Sequence, residues 1–493
     1  MIKIFNTLSK NIEVFKPIKG DNVSIYCCGV TVYDLCHLGH ARSYIVWDVL
    51  RRFLIYKNYK VKFVQNFTDI DDKILKRAKL ENITMEEVSE KNIREFHKDM
   101  DTLGILKPDS MPRATKHICN ICEFIEVLEK KGFAYSIDGD VYYSIIKNKS
   151  YGKLSNQRIK EQNVNQQGRM TIDENNKKIN PQDFALWKKA KDDEPYFNSP
   201  WGRGRPGWHI ECSAMVKEEL GETIDIHLGG SDLIFPHHEN EIAQSESAND
   251  KKLANYWLHN GMVNVNGQKM SKSLKNFTTI RELINSGISP MALRYFVITV
   301  NYRKPLDFTD ESIKSASEAW KNINLALSMY DVIKEKNLTK PSNFNEKLLK
   351  RENILKSKND LEEKKLKFID ALSNDLNTAS AIAVIYEIAK PLKNFINQYQ
   401  RNQNEVISEE KKYNLFTRWQ MLVELTDILG LKKEKIIKEF ALKKSEILAL
   451  IDKRQIAKKE RNYNEADSIR NYLKENGVEL IDQSPEITKW IRS

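Results

Sequence analysis

Two segments of the chain carry side chains suited to binding phosphate groups. His37, Gly39 and His40 follow an apolar, strand-like run and open a helical pattern, where backbone N–H groups and the helix dipole favour an anion. Lys269 and Lys272 stand more than two hundred residues later, on a loop-like stretch. Their charge suits a triphosphate whose negative charge shifts in a transition state, while the glycine leaves space for an adenine. Together the two segments predict a nucleotide site.

A second set of side chains suits a metal ion. His237 and Glu241 are four residues apart, so on a helix they share one face. Cys212 lies upstream of them, and Cys28 stands at the end of the first predicted strand. Thiolate, imidazole and carboxylate groups are all good zinc ligands, and four of them make a tetrahedral site. The spacing alone leaves two other pairs equally open, namely His209 with Cys212 and His238 with Glu239.

A strand–helix–strand unit is predicted to position the phosphate motif. Residues 23–30 and 60–67 are apolar runs typical of buried strands, and residues 38–56 between them carry apolar side chains at helical spacing. The pattern predicts an α/β fold with a doubly wound parallel sheet. Ligands of such a sheet bind beyond the carboxyl ends of its strands.

The remainder of the chain divides by its sequence pattern. Residues 137–205 show short alternating runs mixed with Asn-, Gln- and Lys-rich loops, which predicts an insertion into the nucleotide-binding fold. Beyond residue 312 the sequence is nearly all helical, with amphipathic stretches at 361–372 and 381–399. A break near 432–438 precedes a compact tail. We therefore expect a catalytic domain over 1–311, a helical bundle over 312–431 and a small C-terminal domain over 432–493.

Composition narrows the class of protein. A chain of 493 residues is too long for one hydrophobic core, so several domains are expected. The 79 Lys and Arg exceed the 68 Asp and Glu by 11, a charge compatible with a polyanion such as RNA, although a generally Lys-rich composition supplies part of it. No apolar stretch approaches the ~20 residues of a membrane span, and the first residues lack signal-peptide anatomy. A cytoplasmic protein without membrane contact is expected.

The six cysteines do not make a disulfide framework in so long a chain, and reduced thiols or metal ligands are the expected state. Cys119 and Cys122 form a Cys-x-x-Cys pair. They fall in an amphipathic run, which favours helix side chains over a metal or redox role. Cys27 and Cys36 are expected to be structural as well.

Several segments together carry a family resemblance. The narrower motifs are Tyr26–Tyr33, His37–Arg42, Pro206–Met215, Phe235–Glu241, Asp375–Thr378 and Asn462–Arg470. With the phosphate motif at His37–His40 and the lysine motif at Lys269–Ser273, they resemble the cysteinyl-tRNA synthetases, a family of the class I aminoacyl-tRNA synthetases. The resemblance extends over nearly the whole chain. Val30 replaces the usual proline and Asn301 the usual histidine, and neither change removes a group that does chemistry.

This resemblance implies both the fold and the metal site. The implied fold is a Rossmann-like class I catalytic domain with an inserted connective subdomain, followed by an α-helical bundle and a small C-terminal anticodon-binding domain. The implied ligands of one Zn²⁺ are Cys28, Cys212, His237 and Glu241. Zinc would select cysteine over serine, because it binds a thiolate far better than a neutral hydroxyl.

The resemblance also implies roles around ATP and cysteine. His37 and His40 would donate hydrogen bonds to the phosphates, and Lys272, helped by Lys269, would meet the β and γ groups as the loop closes. Asp232 follows a Gly-Gly turn and would accept hydrogen bonds from the ribose hydroxyls or the substrate amine, although such a turn is ordinary. The expected amino-acid pocket comprises Cys28, Gly29, Thr31, Thr68, Trp208 and His237. For the two threonines and the tryptophan, core packing is nearly as good an explanation.

The implied reaction has two steps. L-cysteine attacks the α-phosphorus of ATP, which carries Mg²⁺, to give cysteinyl-adenylate and pyrophosphate; the 2′-OH of the terminal ribose of tRNA(Cys) then takes the cysteinyl group. A monomer is expected. One alternative is a cysteine ligase with a small amine acceptor, and another is a non-catalytic zinc-dependent RNA-binding module. The helical region and the basic tail favour tRNA, and the retained His37, His40 and Lys272 would have no purpose in a non-catalytic module.

Overall fold

The computed structural model describes most of the chain. The described residues are 1–157, 177–192, 194–270, 274, 276–335, 349–401, 406–435, 444–476, 478–482 and 488–492. They form two compact units, Met1–Lys433 and Glu434–Ser493.

Helices and strands alternate in the first half of the chain, and helices dominate the second half. The strands are β1 (Lys3–Asn6), β2 (Asn11–Val14), β3 (Asn22–Thr31), β4 (Lys60–Thr68), β5 (Ala134–Ile137), β6 (Asp140–Tyr143), β7 (Phe184–Lys189), β8 (Gly204–Pro206), β9 (Ile224–Gly230), β10 (Ala254–Asn260), β11 (Val263–Val265), β12 (Gln268–Lys269), β13 (Leu306–Phe308), β14 (Val478–Asp482) and β15 (Thr488–Arg492).

The helices are α1 (Leu38–Tyr56), α2 (Asp72–Glu81), α3 (Met85–Thr102), α4 (Ile118–Lys130), α5 (Trp208–Leu220), α6 (Glu239–Asn249), α7 (Ile280–Asn285), α8 (Pro290–Ile298), α9 (Asp310–Leu327), α10 (Met329–Glu335), α11 (Glu352–Ser373), α12 (Thr378–Arg401), α13 (Glu409–Ile428), α14 (Lys444–Lys459) and α15 (Tyr463–Glu475). None of these helices, within the described ranges, is long and apolar enough to cross a membrane.

A four-stranded parallel sheet forms the centre of the first unit, in the order β10–β9–β3–β4. β3 pairs with β4 from Asn22 opposite Lys60 to Thr31 opposite Thr68. Its middle residues are buried whichever face they point to, as expected for an inner strand of a parallel sheet. The predicted strand–helix–strand unit is confirmed, with α1 as the crossover.

α1 begins at the phosphate motif. The ring Nδ1 of His37 accepts hydrogen bonds from the backbone N–H groups of Gly39, at 3.0 Å, and His40, at 3.3 Å. The ring Nδ1 of His40 accepts from the N–H of His37 at 3.3 Å. This reciprocal arrangement is a capping box built from two imidazoles. Buried side chains along the helix, including Trp47 and Phe53, fix its position on the sheet.

β3 approaches β4 very closely at Gly29. The strand register shifts between Cys27 and Val30, and the N–H of Gly29 donates to Asn66 Oδ1 at 2.8 Å. A Cβ on Gly29 would lie only 1.6 Å from the Asn66 carbonyl oxygen. Packing of the two backbones therefore requires glycine at this position.

We expect Gly29→Ala to lower the midpoint of thermal unfolding more than Gly132→Ala does. The new methyl group must displace the β4 backbone, at a cost of ~1–3 kcal/mol. At Gly132, φ is +78° and an added Cβ meets no atom within 4 Å, so alanine there meets only left-handed backbone strain. Scanning calorimetry measures both midpoints, and equal values for the two variants would contradict the steric argument.

A second, antiparallel sheet follows α4, in the order β5–β6–β7–β8. It occupies residues 134–206, close to the predicted insertion over 137–205, and residues 158–176 and 193 of that region lie outside the described ranges. Cys119 and Cys122 are both on α4, the first exposed and the second buried against a hydrophobic cluster. They are helix side chains, as the sequence predicts.

The helical region packs against the earlier part of the first unit. α11, α12 and α13 pack on one another, and α9 packs on α8 and α12. Asp375, between α11 and α12, accepts hydrogen bonds at 2.8 Å from the N–H of Phe5 and from the hydroxyl of Tyr302. It also pairs with Arg303 at 2.8 Å. This carboxylate ties the helical region to β1 and to the turn before β13.

The second unit contains α14, α15 and the antiparallel pair β14–β15. Its core includes Ile447, Ile451 and Leu473. One basic residue of the tail, Arg454, is buried at 2% exposure, whereas Lys453 is exposed and forms a surface ion pair with Glu465 of α15 at 3.2 Å. The basic character of this segment therefore supports its own packing as well as any polyanionic partner.

Candidate active site

The four expected metal ligands come together at one end of the central sheet. Cys28 comes from β3, Cys212 from α5, and His237 and Glu241 from the turn before α6 and from its first turn. Their donor atoms all lie within 4.8 Å of one another. His237 Nε2 is 3.1 Å and Cys28 Sγ is 3.5 Å from Glu241 Oε1. Each side chain is at most 6% exposed. A buried set of two thiols, one imidazole and one carboxylate fits Zn²⁺.

Two further histidines touch this cluster. His227 on β9 and His238 beside α6 form a second group with Cys28 and Glu241, again with donor atoms within 4.8 Å of one another. His227 Nε2 lies 3.0 Å from Glu241 Oε2, and His238 Nε2 lies 3.2 Å from Cys28 Sγ. The sequence left His238 open as an alternative and missed His227. The only sign of His227 in the sequence is that a histidine stands inside an otherwise apolar strand pattern.

Of the residues in the other pairs left open by spacing, Glu239 and His209 lie outside both groups. Glu239 lies away from the cluster, because its carboxylate accepts three backbone N–H groups at 2.8–3.1 Å. Their donors are Gly152, Leu154 and Ser155. His209 lies behind a ligand, with its Nδ1 2.9 Å from His237 Nδ1. The nitrogen of His238 that faces away from the cluster, Nδ1, lies 2.8 Å from His259 Nε2. The contacts of His209 and His259 thus hold the rings of His237 and His238 from the side away from the cluster.

Burial and neighbouring charges shift the pKa values of the cluster. Burial raises the pKa of the Cys28 thiol. The hydrogen bond between Cys28 and Cys212 lowers the pKa of Cys212 to about 6. Burial alone would raise the pKa of Glu241, but His227 and His237 hold it well below its usual range. Burial also opposes charge on His237, yet Glu241 and Cys212 raise its pKa to about 9. These directions favour a thiolate at Cys212 and a carboxylate at Glu241, and a proton on Cys28 and on His237. A divalent cation that binds here would displace those two protons.

Of the residues expected in the amino-acid pocket, Trp208 contacts this cluster, and the two threonines lie at the ends of neighbouring strands. The Trp208 ring stacks on His237, with centroids 4.2 Å apart and planes 26° apart. Thr31 ends β3 opposite the end of β4, where the buried Thr68 hydroxyl donates to Glu211 Oε2 at 3.0 Å. Burial raises the pKa of Glu211 well above its usual range. The sequence did not single out this carboxyl group, which shares the helix of Cys212.

Asp232 lies on an exposed 3₁₀ turn, Ser231–Leu233, directly after β9. A side chain on Gly230 would collide with Asp232 Oδ1. The glycine therefore lets the aspartate fold back over the end of the strand.

The two histidines of the phosphate motif form a stacked pair. The rings of His37 and His40 have centroids 3.7 Å apart and planes 19° apart. Because each Nδ1 accepts a backbone N–H, that nitrogen carries no proton, and the neutral ring carries its proton on Nε2. A Cβ on Gly39 would lie 2.8 Å from the His37 ring. The motif therefore supplies two Nε2–H donors beside a position without a side chain.

Met270 of the lysine motif and Phe277, a few residues after the motif, both pack against the phosphate motif. Met270 Cε lies 3.6 Å from the position that a Cβ on Gly39 would take. The Phe277 ring meets His37 edge to face, with centroids 4.9 Å apart. Lys269, at the end of β12, is exposed, and Lys272 lies outside the described residues together with 271 and 273.

All these groups share the carboxyl edge of the central sheet. Cys28 and Thr31 lie near the end of β3, Thr68 ends β4, Asp232 follows β9, and His259 is near the end of β10. The phosphate motif opens the helix that follows β3. This edge is where open parallel sheets bind their ligands.

Comparison with known proteins defines the class. Residues 14–318 match the family model of the class I (C) tRNA synthetase catalytic domain, and residues 367–433 match that of the DALR domain. The fold is similar to Mycobacterium tuberculosis methionyl-tRNA synthetase in complex with methionyl-adenylate, with a TM-score of 0.56 and 17% identity over 83% of this chain and 90% of that chain. The fold is also similar to a putative arginyl-tRNA synthetase from Campylobacter jejuni, with a TM-score of 0.52 and 14% identity over 85% of this chain and 95% of that chain. The first unit is thus built on the catalytic fold of class I tRNA synthetases.

Full-length relatives narrow this class. The chain is 73% identical over 492 residues to the cysteine–tRNA ligase of Prochlorococcus marinus subsp. pastoris strain CCMP1986, and 54% identical over 502 residues to that of strain MIT 9303. Each alignment covers 100% of both chains. The chain belongs to the cysteine–tRNA ligase family, and the resemblance seen in its motifs is confirmed.

Proposed function

We propose that the chain ligates L-cysteine to tRNA(Cys) in two steps, through a cysteinyl-adenylate made from ATP. The observation that carries this proposal is that the buried thiol, imidazole and carboxylate cluster and the stacked His37–His40 pair lie at the same edge of the central sheet. Cysteine activation needs a thiol-selective site beside a phosphate site. The cysteine–tRNA ligases that match over the full length support the same activity.

Zn²⁺ is the proposed resident metal. The proposed ligands are Cys28, Cys212, His237 and Glu241. When bound, zinc supplies a soft Lewis acid that prefers a thiolate to a neutral hydroxyl, and so separates cysteine from serine better than an apolar pocket does. His227 holds Glu241 and His238 holds Cys28, so these two imidazoles orient ligands.

The amino-acid pocket is proposed to lie beside this cluster. Trp208 forms one wall by stacking on His237, and Thr31 and Thr68 close the strand ends. Asp232 is the proposed acceptor for the substrate amine or the ribose hydroxyls. Gly29 already donates its N–H to a neighbouring strand, so its contribution is the close approach of the two backbones.

ATP is proposed to bind at the start of α1, with Mg²⁺ as its counter-ion. His37 and His40 donate their Nε2–H groups to the phosphates, and Gly39 leaves room for the adenine. Lys269 and Lys272 supply positive charge to the β and γ phosphates as pyrophosphate leaves. The packing of Met270 and Phe277 on the phosphate motif supports this placement of the loop.

The second step transfers the cysteinyl group to the 2′-OH of the terminal ribose of tRNA(Cys). The helical bundle, proposed over 312–431, and the small domain, proposed over 432–493, are assigned to tRNA binding and anticodon recognition. We propose a monomer. The enzyme is proposed to act in the cytoplasm, where ATP and tRNA are available.

Two assays on the purified protein test this function. Cysteine-dependent exchange of pyrophosphate into ATP should occur without tRNA, and radiolabelled cysteine should then be transferred to tRNA(Cys). Exchange followed by transfer only to a small amine would indicate the alternative ligase. A protein that binds RNA and shows no exchange would contradict the catalytic proposal altogether.

Truncation after Lys433 tests the role of the second unit. The described residues of the phosphate and metal sites all precede this point, so the truncated protein should keep adenylate formation. Charging of tRNA(Cys) should fall sharply because binding is weaker, and the remaining binding should depend less on salt as phosphate contacts are lost. Filter binding at several salt concentrations measures this. Wild-type charging by a folded truncation would assign the tail another role.

A further inference from the structure

A buried arginine joins the helix of the phosphate motif to the start of the β11–β12 hairpin. This hairpin ends in Lys269 and is called the lysine hairpin below; its root is the segment just before β11, together with the segment before β13 that pairs with it. Arg42 lies on α1, two residues after His40, and is 1% exposed. Its Nη1 donates to the carbonyl oxygen of Met262 at 2.5 Å, and its Nη2 donates to those of Tyr302, at 3.1 Å, and Lys304. The first carbonyl directly precedes β11, and the other two precede β13. The guanidinium group therefore binds the backbone just before each of two paired strands, β11 and β13.

The root of the hairpin is tightly packed at these carbonyls. The N–H of Gly261 donates to Tyr302 O at 2.8 Å, and a Cβ on Gly261 would lie 2.5 Å from Lys304 O. β11 continues from this root and pairs with β12, which ends in Lys269. The next N–H, that of Met270, donates to a β11 carbonyl at 3.2 Å. The position of the lysine hairpin is thus set where Arg42 binds.

A second buried arginine, Arg294 of α8, also connects α1 to other segments, but it has different partners. The partners of Arg42 are carbonyl oxygens of two segments, so its rigid fork fixes geometry rather than neutralising an acid. Arg294, 0% exposed, pairs instead with Asp48 of α1. It also donates to the carbonyl oxygens of Leu429, at 2.8 Å, and Leu103, at 3.2 Å. Arg294, on α8, is therefore a matched control: it is as buried as Arg42 and also connects α1 to other segments, through Leu103 and Leu429 rather than through the root of the hairpin.

We propose that Arg42 is a positioning residue for cysteine activation. It holds the hairpin of Lys269 at a fixed place relative to His37 and His40, so that the charge of the lysine loop meets the leaving pyrophosphate. Its side chain acts through the hairpin, and a misplacement of about 1 Å far from the chemistry costs roughly 10²-fold in rate. This inference rests on the proposed function.

The test compares Arg42→Met, Arg42→Lys and Arg294→Met in the full-length enzyme, by cysteine-dependent pyrophosphate exchange. Arg42→Met should lower kcat on the order of 10²-fold, with the KM for cysteine and the metal content unchanged. Arg42→Lys should recover part of kcat, because a lysine replaces part of the fork. Arg294→Met should lower the midpoint of thermal unfolding at least as much, while its kcat stays close to that of the wild type.

The outcomes separate positioning from stability. Wild-type kcat in Arg42→Met with a lower unfolding midpoint would overturn the proposal, as would an equal loss of kcat in Arg294→Met. If Arg42→Met does not fold, Arg42→Lys decides, because it keeps the charge and must still lose roughly 10-fold in kcat. Absence of exchange in the wild-type enzyme would contradict the proposed function itself, so the two failures are distinguishable.

Discussion

Replacing Cys212 with serine is expected to remove the metal and cysteine activation together. Cys212 supplies one of two thiols in a cluster whose donor atoms lie within 4.8 Å of one another. A serine hydroxyl stays protonated near neutral pH and is a harder, weaker zinc ligand than a thiolate. Cysteine-dependent pyrophosphate exchange should fall by roughly 10²-fold or more, and zinc, about one per chain in the wild type by elemental analysis, should be lost.

Cys122→Ser is the matched control for this prediction. Cys122 is also a buried free thiol, but it lies on α4 in a hydrophobic cluster. Its replacement should lower the unfolding midpoint without changing the zinc content. Full exchange activity in Cys212→Ser protein that is shown to be metal-free would end the zinc hypothesis. Loss of zinc with unchanged discrimination against serine would separate the metal from selectivity.

The central part of the fold could be predicted because its signals are local. The apolar runs of β3 and β4 and the helical spacing of α1 are each contained in a short window of sequence, and the structure has them within a residue or two of the expected bounds. A strand, a helix and a parallel strand have one favoured handedness and one ligand-binding edge. The phosphate motif therefore had a predictable location before any tertiary contact was known.

The contacts around the expected metal ligands could not be predicted in the same way. His227 touches Glu241 because β9 pairs with β3, and no local pattern specifies which strands become neighbours. The partners of Glu239 likewise lie more than eighty residues away, in a segment whose position depends on the inserted sheet. The motif resemblance identified the expected ligands. It did not identify the contacts of His227 and His209 with those ligands, or the hydrogen bonds of Arg42 to backbone carbonyl oxygens.

Replacing Lys272 with alanine is expected to slow adenylate formation far more than it weakens cysteine binding. The charge of a lysine on this loop is needed mainly as the pyrophosphate leaves, so its loss affects the transition state more than the ground state. The expected fall in kcat for pyrophosphate exchange is on the order of 10²-fold or more, the size found for a preorganised charge. The KM for cysteine and the zinc content should stay near their wild-type values.

Two companion variants make the test of Lys272 specific. Lys272→Arg keeps the positive charge and should retain more activity than the alanine variant, whereas Lys321→Ala removes an exposed lysine on α9 and should change nothing measurable. Lys269→Ala should cost less than Lys272→Ala if Lys269 only assists. Because Met270 packs beside Gly39, loss of the neighbouring charge should leave the hairpin itself in place. Near-wild-type exchange by Lys272→Ala would refute the role of this lysine and shift it to Lys269.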